Sequence, residues 1–132
     1  MEKARNFRNY KVWQDAVDYA TKVYKVTAEM PWFEKKGLCD QLQRAAVSIS
    51  SNIAEGSAKP SNADFARFLD TALGSAYEVE TQLLIANKVG YLRSENENET
   101  DNEKELTYDE LYNGIVEIER QLAGLIRSLR SE

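Results

Sequence analysis

Thr107-Tyr-Asp-Glu-Leu111-Tyr-Asn-Gly-Ile115-Val-Glu-Ile118-Glu-Arg-Gln-Leu122-Ala-Gly-Leu125-Ile-Arg-Ser-Leu129 carries the most regular apolar seam in the chain. Leu111, Ile115, Ile118, Leu122, Leu125 and Leu129 recur at steps of four and three, which lays them along one stripe of a helix. Thr107 and Glu110 stand three apart just ahead of the seam as a capping box, and Thr100 with Glu103 offers the same pair upstream. A helix over about 107–130 follows. Its stripe must be covered by other elements, so the neighbouring sequence decides the architecture.

Three further helical patterns supply the cover. Phe65, Leu69, Ala72, Ala76, Val79, Leu83 and Ala86 predict a helix over 61–89, opened by Ser61 with Asp64 and closed by Gly90, with Leu73, Tyr77 and Leu84 as a secondary seam. Leu38, Leu42, Ala45, Ile49 and Ile53 predict a second helix over 35–55, with Gly56 as its stop. In its middle, Ala46, Val47 and Ser48 are slim enough for a neighbour to approach closely. Between residues 9 and 30 two interleaved series appear: Tyr10, Trp13, Val17, Ala20, Tyr24 and Val12, Ala16, Tyr19, Val23, Val26, Met30. Together they make an apolar surface wider than one bundle core needs, so this helix is expected to serve two interfaces. Pro31 ends it, because the residue before a proline is pushed out of the α region. Trp32 and Phe33 form an aromatic connection. Residues 94–105 hold six acids and no hydrophobe, the composition of a mobile loop. Four helices joined by such connections predict an all-α, up-and-down antiparallel four-helix bundle, one domain over residues 1–132.

Among 132 residues there are 22 acids, 17 Lys/Arg, one cysteine and no histidine, for a net charge of −5. The lone Cys39 excludes an internal disulfide and suits a reducing compartment. With no apolar run of membrane-spanning length, and a start free of signal-peptide character, the expected location is the cytoplasm. The charge is uneven: residues 1–69 hold 11 Lys/Arg against 8 Asp/Glu, and residues 94–132 hold 4 against 11.

The absence of histidine removes the commonest general base, the commonest metal ligand and every Ser-His or Cys-His nucleophile. Glu55, Glu78 and Glu80 lack the Glu-x-x-His partners of a di-iron bundle. Gly74-Ser75 sits inside a helical pattern without a phosphate-loop motif, which points to close helix packing. Cys39 lies beside an apolar stripe and reads as a buried, inert thiol. The expectation is therefore a protein that is not an enzyme and takes no cofactor and no metal. Asn52 and Glu55 share a helix face and are expected to bond each other or a facing helix, fixing register or bridging subunits. With Trp13, Tyr19 and Gly74 they form the candidate packing or subunit-interface set. Lys11, Lys35, Lys36, Arg44, Lys59 and Arg67 are the candidate phosphate contacts, each set against an ordinary solvated face with acids such as Glu34, Asp40 and Asp64 nearby.

Several of these segments occur together: Tyr10-Lys-Val-Trp13-Gln, Arg44-Ala-Ala-Val-Ser-Ile49, Ser51-Asn-Ile-Ala-Glu-Gly56, Arg67-Phe-Leu69, Gly74-Ser75, Glu80-Thr-Gln-Leu83 and Gly90-Tyr-Leu92. In this combination the chain, over about residues 7–130, resembles the bacterial four-helix-bundle proteins encoded by intervening sequences of 23S ribosomal RNA genes. The resemblance implies a homo-oligomer, a pentamer in known members. It also implies kinship with the accessory variability protein of diversity-generating retroelements, which binds nucleic acid. The chain departs from that pattern at Ser50, where a proline is common, and after Gly56, where Lys59 stands in place of a basic pair.

Two functional expectations follow. One is a non-catalytic oligomeric scaffold that associates with structured RNA or a ribonucleoprotein through its basic residues. The other is a protein-interaction scaffold with no nucleic-acid role, anchored by exposed Trp32 and Phe33.

Overall fold

The structure, a computed structural model, describes residues 5–94 and 106–131, so the acidic loop read at 94–105 lies almost wholly outside the described residues. The helices are α1 (Lys11–Thr27), α2 (Leu38–Ser57), α3 (Asn62–Lys88) and α4 (Tyr108–Arg130). Short 3-10 turns at Phe7–Asn9 and Trp32–Glu34 precede α1 and α2. Among the described residues the one strand-like pairing is an isolated bridge between Arg93 and Thr107. Each helix packs on the next in sequence, most extensively α2 on α3, and α4 closes the square with a lighter contact on α1.

Local signals set most of the boundaries. The Thr107 side chain accepts from the Glu110 N–H at 3.2 Å, and the Glu110 carboxylate accepts from the Thr107 N–H at 3.0 Å, completing the capping box nearer the seam. The alternative Thr100 and Glu103 cap falls outside the described residues. Ser61 Oγ accepts from the Asp64 N–H at 3.1 Å and opens α3. Gly90, at φ 88°, closes it: Tyr91 N–H reaches Ala86 O at 2.9 Å and Gly90 N–H reaches Asn87 O at 3.1 Å. A left-handed residue is what this double bond requires, and glycine adopts it without strain.

Three boundaries differ from the sequence reading. Helix 1 stops at Thr27 rather than 30, because Glu29 and Met30 donate three residues back and tighten the last turn. Helix 2 starts at Leu38 rather than 35, after the Trp32–Glu34 turn and an irregular Gly37. Gly56 is not a stop. It lies inside α2, which runs on to Ser57, and is buried where a Cβ would stand 2.5 Å from Phe68 Cβ and 3.0 Å from Phe65 Cδ1. Its role is close approach between α2 and the start of α3.

The core is one contiguous cluster. Leu42, Ile49 and Ile53 of α2, Phe65, Leu69, Val79 and Leu83 of α3, and Leu111, Ile115, Ile118 and Leu122 of α4 are fully buried. Buried Ala45, Ala46, Ala72 and Ala76 let α2 and α3 approach. At the end of α4 the buried position is Ile126, while Leu125 and Leu129 are half-buried. A straight helix of 3.6 residues per turn drifts about 20° per heptad away from a strict seven-residue repeat, and here it carries the stripe round by one position.

Candidate interaction surface

The polar residues at the middle of α2 face α3. Ser48 Oγ and Ser75 Oγ share a hydrogen bond at 2.9 Å, and Asn52 Nδ2 donates to Ser48 O at 2.8 Å and to Ser48 Oγ at 3.0 Å. This chain of bonds ties the register of the two helices from within a close, half-buried seam. Asn52 thus reaches back one turn rather than forward to Glu55, which faces solvent. Of the Gly74-Ser75 pair only Ser75 packs on a helix. Gly74 is exposed, and a Cβ there would meet nothing within 4 Å.

Helix 1 presents two different faces. Tyr19 is buried, donates its hydroxyl to Leu111 O at 2.6 Å and rests on Gly114, where a Cβ would come within 2.9 Å of its ring. Burial raises its pKa well above that of a free tyrosine. Tyr19 is therefore a helix-packing residue that pins α1 to α4. Trp13 is half-buried with its ring 5.0 Å from Phe7, edge to face. The outer series continues through exposed Val17 and Tyr24, and Tyr77, Leu84 and Ile85 of α3 are exposed as well.

One carboxyl pair was missed by the sequence reading. Glu119 of α4 meets Glu80 of α3; burial, followed by the hydrogen bond and the like charge of Glu80, pushes Glu119 from 4.5 up to about 8. At neutral pH Glu119 therefore favours its protonated form. Glu119 Oε2 is buried without a protein donor, which favours the protonated form. The one signal in the sequence was its place beside Ile118 on the α4 stripe. Cys39 is buried against Thr27 O and Met30, and burial, then the nearby Glu34 charge, raises its thiol pKa, as expected of an unreactive cysteine. No group of three or more His, Cys, Asp or Glu converges among the described residues. No described helix is long and apolar enough to cross a membrane.

The six basic candidates fall at two ends of the bundle. Lys35 and Lys36 precede α2 and Arg44 lies in its second turn, whereas Lys59 follows it, about 28 Å away at 1.5 Å per residue. Lys59 shares its end with Lys11 at the start of α1 and Arg67 near the start of α3. Three of the six are engaged by acids: Lys11 by Asp15 at 2.7 Å, Arg44 by Asp40 at 2.9 Å, and Arg67 by Asp64.

The Lys59 end holds further cations that the sequence reading passed over. Arg5 donates to Lys59 O at 2.7 Å and to Asn62 Oδ1, and lies over the Phe65 ring at 4.8 Å. Arg8 lies over Phe7, and Lys59 over Phe68. Arg127 stands beside Arg130 in a groove with Asp70, Leu73 and Ile126. Arg130 pairs with Asp70, whereas Arg5, Arg8, Lys59 and Arg127 have no carboxylate partner among the described residues. Their gathering depends on three chain segments meeting at one end, which no local pattern encodes.

This square of four helices has a solved counterpart. A crystal structure from Bacteroides thetaiotaomicron, described as a protein of unknown function from the S23 ribosomal protein family, superposes with a TM-score of 0.73 at 25% identity. The match covers 88% of this chain and 95% of that one. A comparison with curated proteins found no match. Residues 8–124, from the turn before α1 into α4 and including the Ser48–Asn52 polar seam, match the 23S rRNA-intervening sequence proteins as a family. With that much of the fold covered, the chain belongs to the 23S rRNA-intervening sequence protein family.

Proposed function

We propose that this protein is a non-catalytic helical scaffold that self-associates and holds structured RNA or a ribonucleoprotein through the basic end of its bundle. The observation that carries the reading is the convergence there of Arg5, Arg8, Lys59 and Arg127, free of carboxylates among the described residues, beside Lys11, Arg67 and Arg130. Guanidinium and ammonium groups held on aromatic faces at a bundle end suit phosphate contacts, which position a nucleic acid without reading its sequence. Self-association, as a homo-oligomer and by family analogy a pentamer, draws support from exposed Val17 and Tyr24 of α1 and from exposed Tyr77, Leu84 and Ile85 of α3. Work inside a cell accords with the reduced Cys39.

The test is RNA affinity over a salt series, with mass in solution from light scattering on the same sample. Each phosphate contact contributes about 0.7–0.9 to the slope of log affinity against log salt, so Arg8→Glu, Lys59→Glu and Arg127→Glu together lower it by about 2–3. Arg44→Glu, at a distance and already paired, leaves it near wild type. An unchanged slope in the triple variant would remove the site. A folded oligomer that binds no RNA at low salt would favour the second reading, a protein-interaction scaffold, for which the exposure of Trp32 and Phe33 is the supporting observation.

A further inference from the structure

At the opposite end of the bundle the α1–α2 corner displays two aromatic rings. Successive residues of a 3-10 turn point about 120° apart, so fixing one side chain aims the other two. In the Trp32–Glu34 turn the fixed residue is Glu34: its carboxylate accepts from the Tyr91 hydroxyl at 2.8 Å and the Leu38 N–H at 3.4 Å. Trp32 and Phe33 therefore project into solvent, 86% and 63% exposed, with ring centroids 6.2 Å apart at 79°. An apolar pair of this size is covered in most soluble proteins, and nothing among the described residues covers it. Directly after it come Lys35 and Lys36, both exposed and without a carboxylate partner among the described residues. Glu34, the nearest acid, is already engaged by Tyr91.

Open aromatic faces beside two free ammonium groups complement a flexible polyanion whose repeating unit is itself flat and aromatic. We infer that the Trp32–Phe33 corner is a stacking platform for unpaired bases of an RNA strand, with Lys35 and Lys36 meeting the flanking phosphates. The inference rests on the RNA reading but uses different residues, about 28 Å along α2 from the basic end. Every base has a π-face, so the platform takes single strands with little sequence preference and gains nothing from a blunt duplex, whose bases are already stacked.

The experiment uses Trp13→Phe protein, in which Trp32 is the only tryptophan, titrated with a short oligoadenylate strand and with a blunt RNA duplex of equal length. The strand is expected to quench Trp32 emission. Trp32→Ala, read by anisotropy of labelled RNA, weakens the strand roughly 5- to 150-fold while leaving the duplex affinity and the salt slope unchanged. Trp32→Tyr, which keeps a stacking face, recovers most of the loss, and unaltered circular dichroism certifies the fold. Strand affinity in Trp32→Ala equal to wild type, or wild-type binding without quenching, overturns the platform. If strand affinity is undiminished in Trp32→Ala but lost in the Arg8, Lys59, Arg127 triple variant, the RNA reading stands and the platform falls. No binding of either RNA by wild-type protein removes both. A smaller assembled mass for Trp32→Ala with unchanged RNA affinity assigns the rings to a contact between copies, which also overturns the platform.

Discussion

Replacing Gly56 by alanine sets two calculable effects against each other. Alanine is favoured over glycine in a helix interior by about 1 kcal/mol. The new Cβ, however, stands 2.5 Å from Phe68 Cβ, 3.0 Å from Phe65 Cδ1 and 3.3 Å from Phe65 O. Carbon atoms rest at about 3.5–4.0 Å, so the nearest contact must open by roughly 1 Å. Phe68 Cβ is fixed to the α3 backbone and cannot swing away, so the two most closely packed helices must part. Overpacking of this kind costs about 1–3 kcal/mol, and contact with backbone-fixed atoms places it at the upper end. The net loss is about 2 kcal/mol, or roughly 6–8 °C in melting temperature for a domain of this size. Thermal unfolding by circular dichroism at a fixed protein concentration reads it. Gly74→Ala, where a Cβ meets nothing within 4 Å, is the paired control and is expected to gain up to about 1 kcal/mol. Gly56→Ala melting at or above wild type would refute the close-approach argument. Gly74→Ala losing both stability and assembled mass would show that a second copy covers Gly74.

Two further outcomes test other parts of the structure. Because the folded Glu119 pKa, about 8, lies above its ordinary 4.5, the folded protein binds the extra proton, and stability falls as pH rises between about 4.5 and 8. Glu119→Gln mimics the protonated form, so it should flatten this part of the urea-midpoint profile and exceed wild type near the upper limit; an unchanged profile would dismiss the raised Glu119 pKa. Thr107→Ala removes the α4 capping box and should cost about 1 kcal/mol in urea unfolding, with Thr107→Ser close to wild type. If alanine is neutral, the cap contributes nothing to holding α4.

The four helices, their caps at Ser61, Thr107 and Gly90, and the buried character of Tyr19 and Cys39 were legible in the sequence alone. Each rests on interactions within a few residues, or on a repeat that the helical period converts into one face. What only the tertiary structure decided depends on which distant segments meet. Gly56 reads as a stop until Phe65 and Phe68 are seen against it. Asn52 and Glu55 share a helix face, yet Ser48, joined to Ser75, takes the amide. The basic candidates look like one group along the chain, but α2 holds Lys35 and Lys36 a helix length from Lys59, while Arg5, Arg8 and Arg127 arrive there from elsewhere. Glu80 and Glu119, far apart in sequence, meet only because α3 packs on α4, where desolvation together with the hydrogen bond and charge of Glu80 raises the Glu119 pKa.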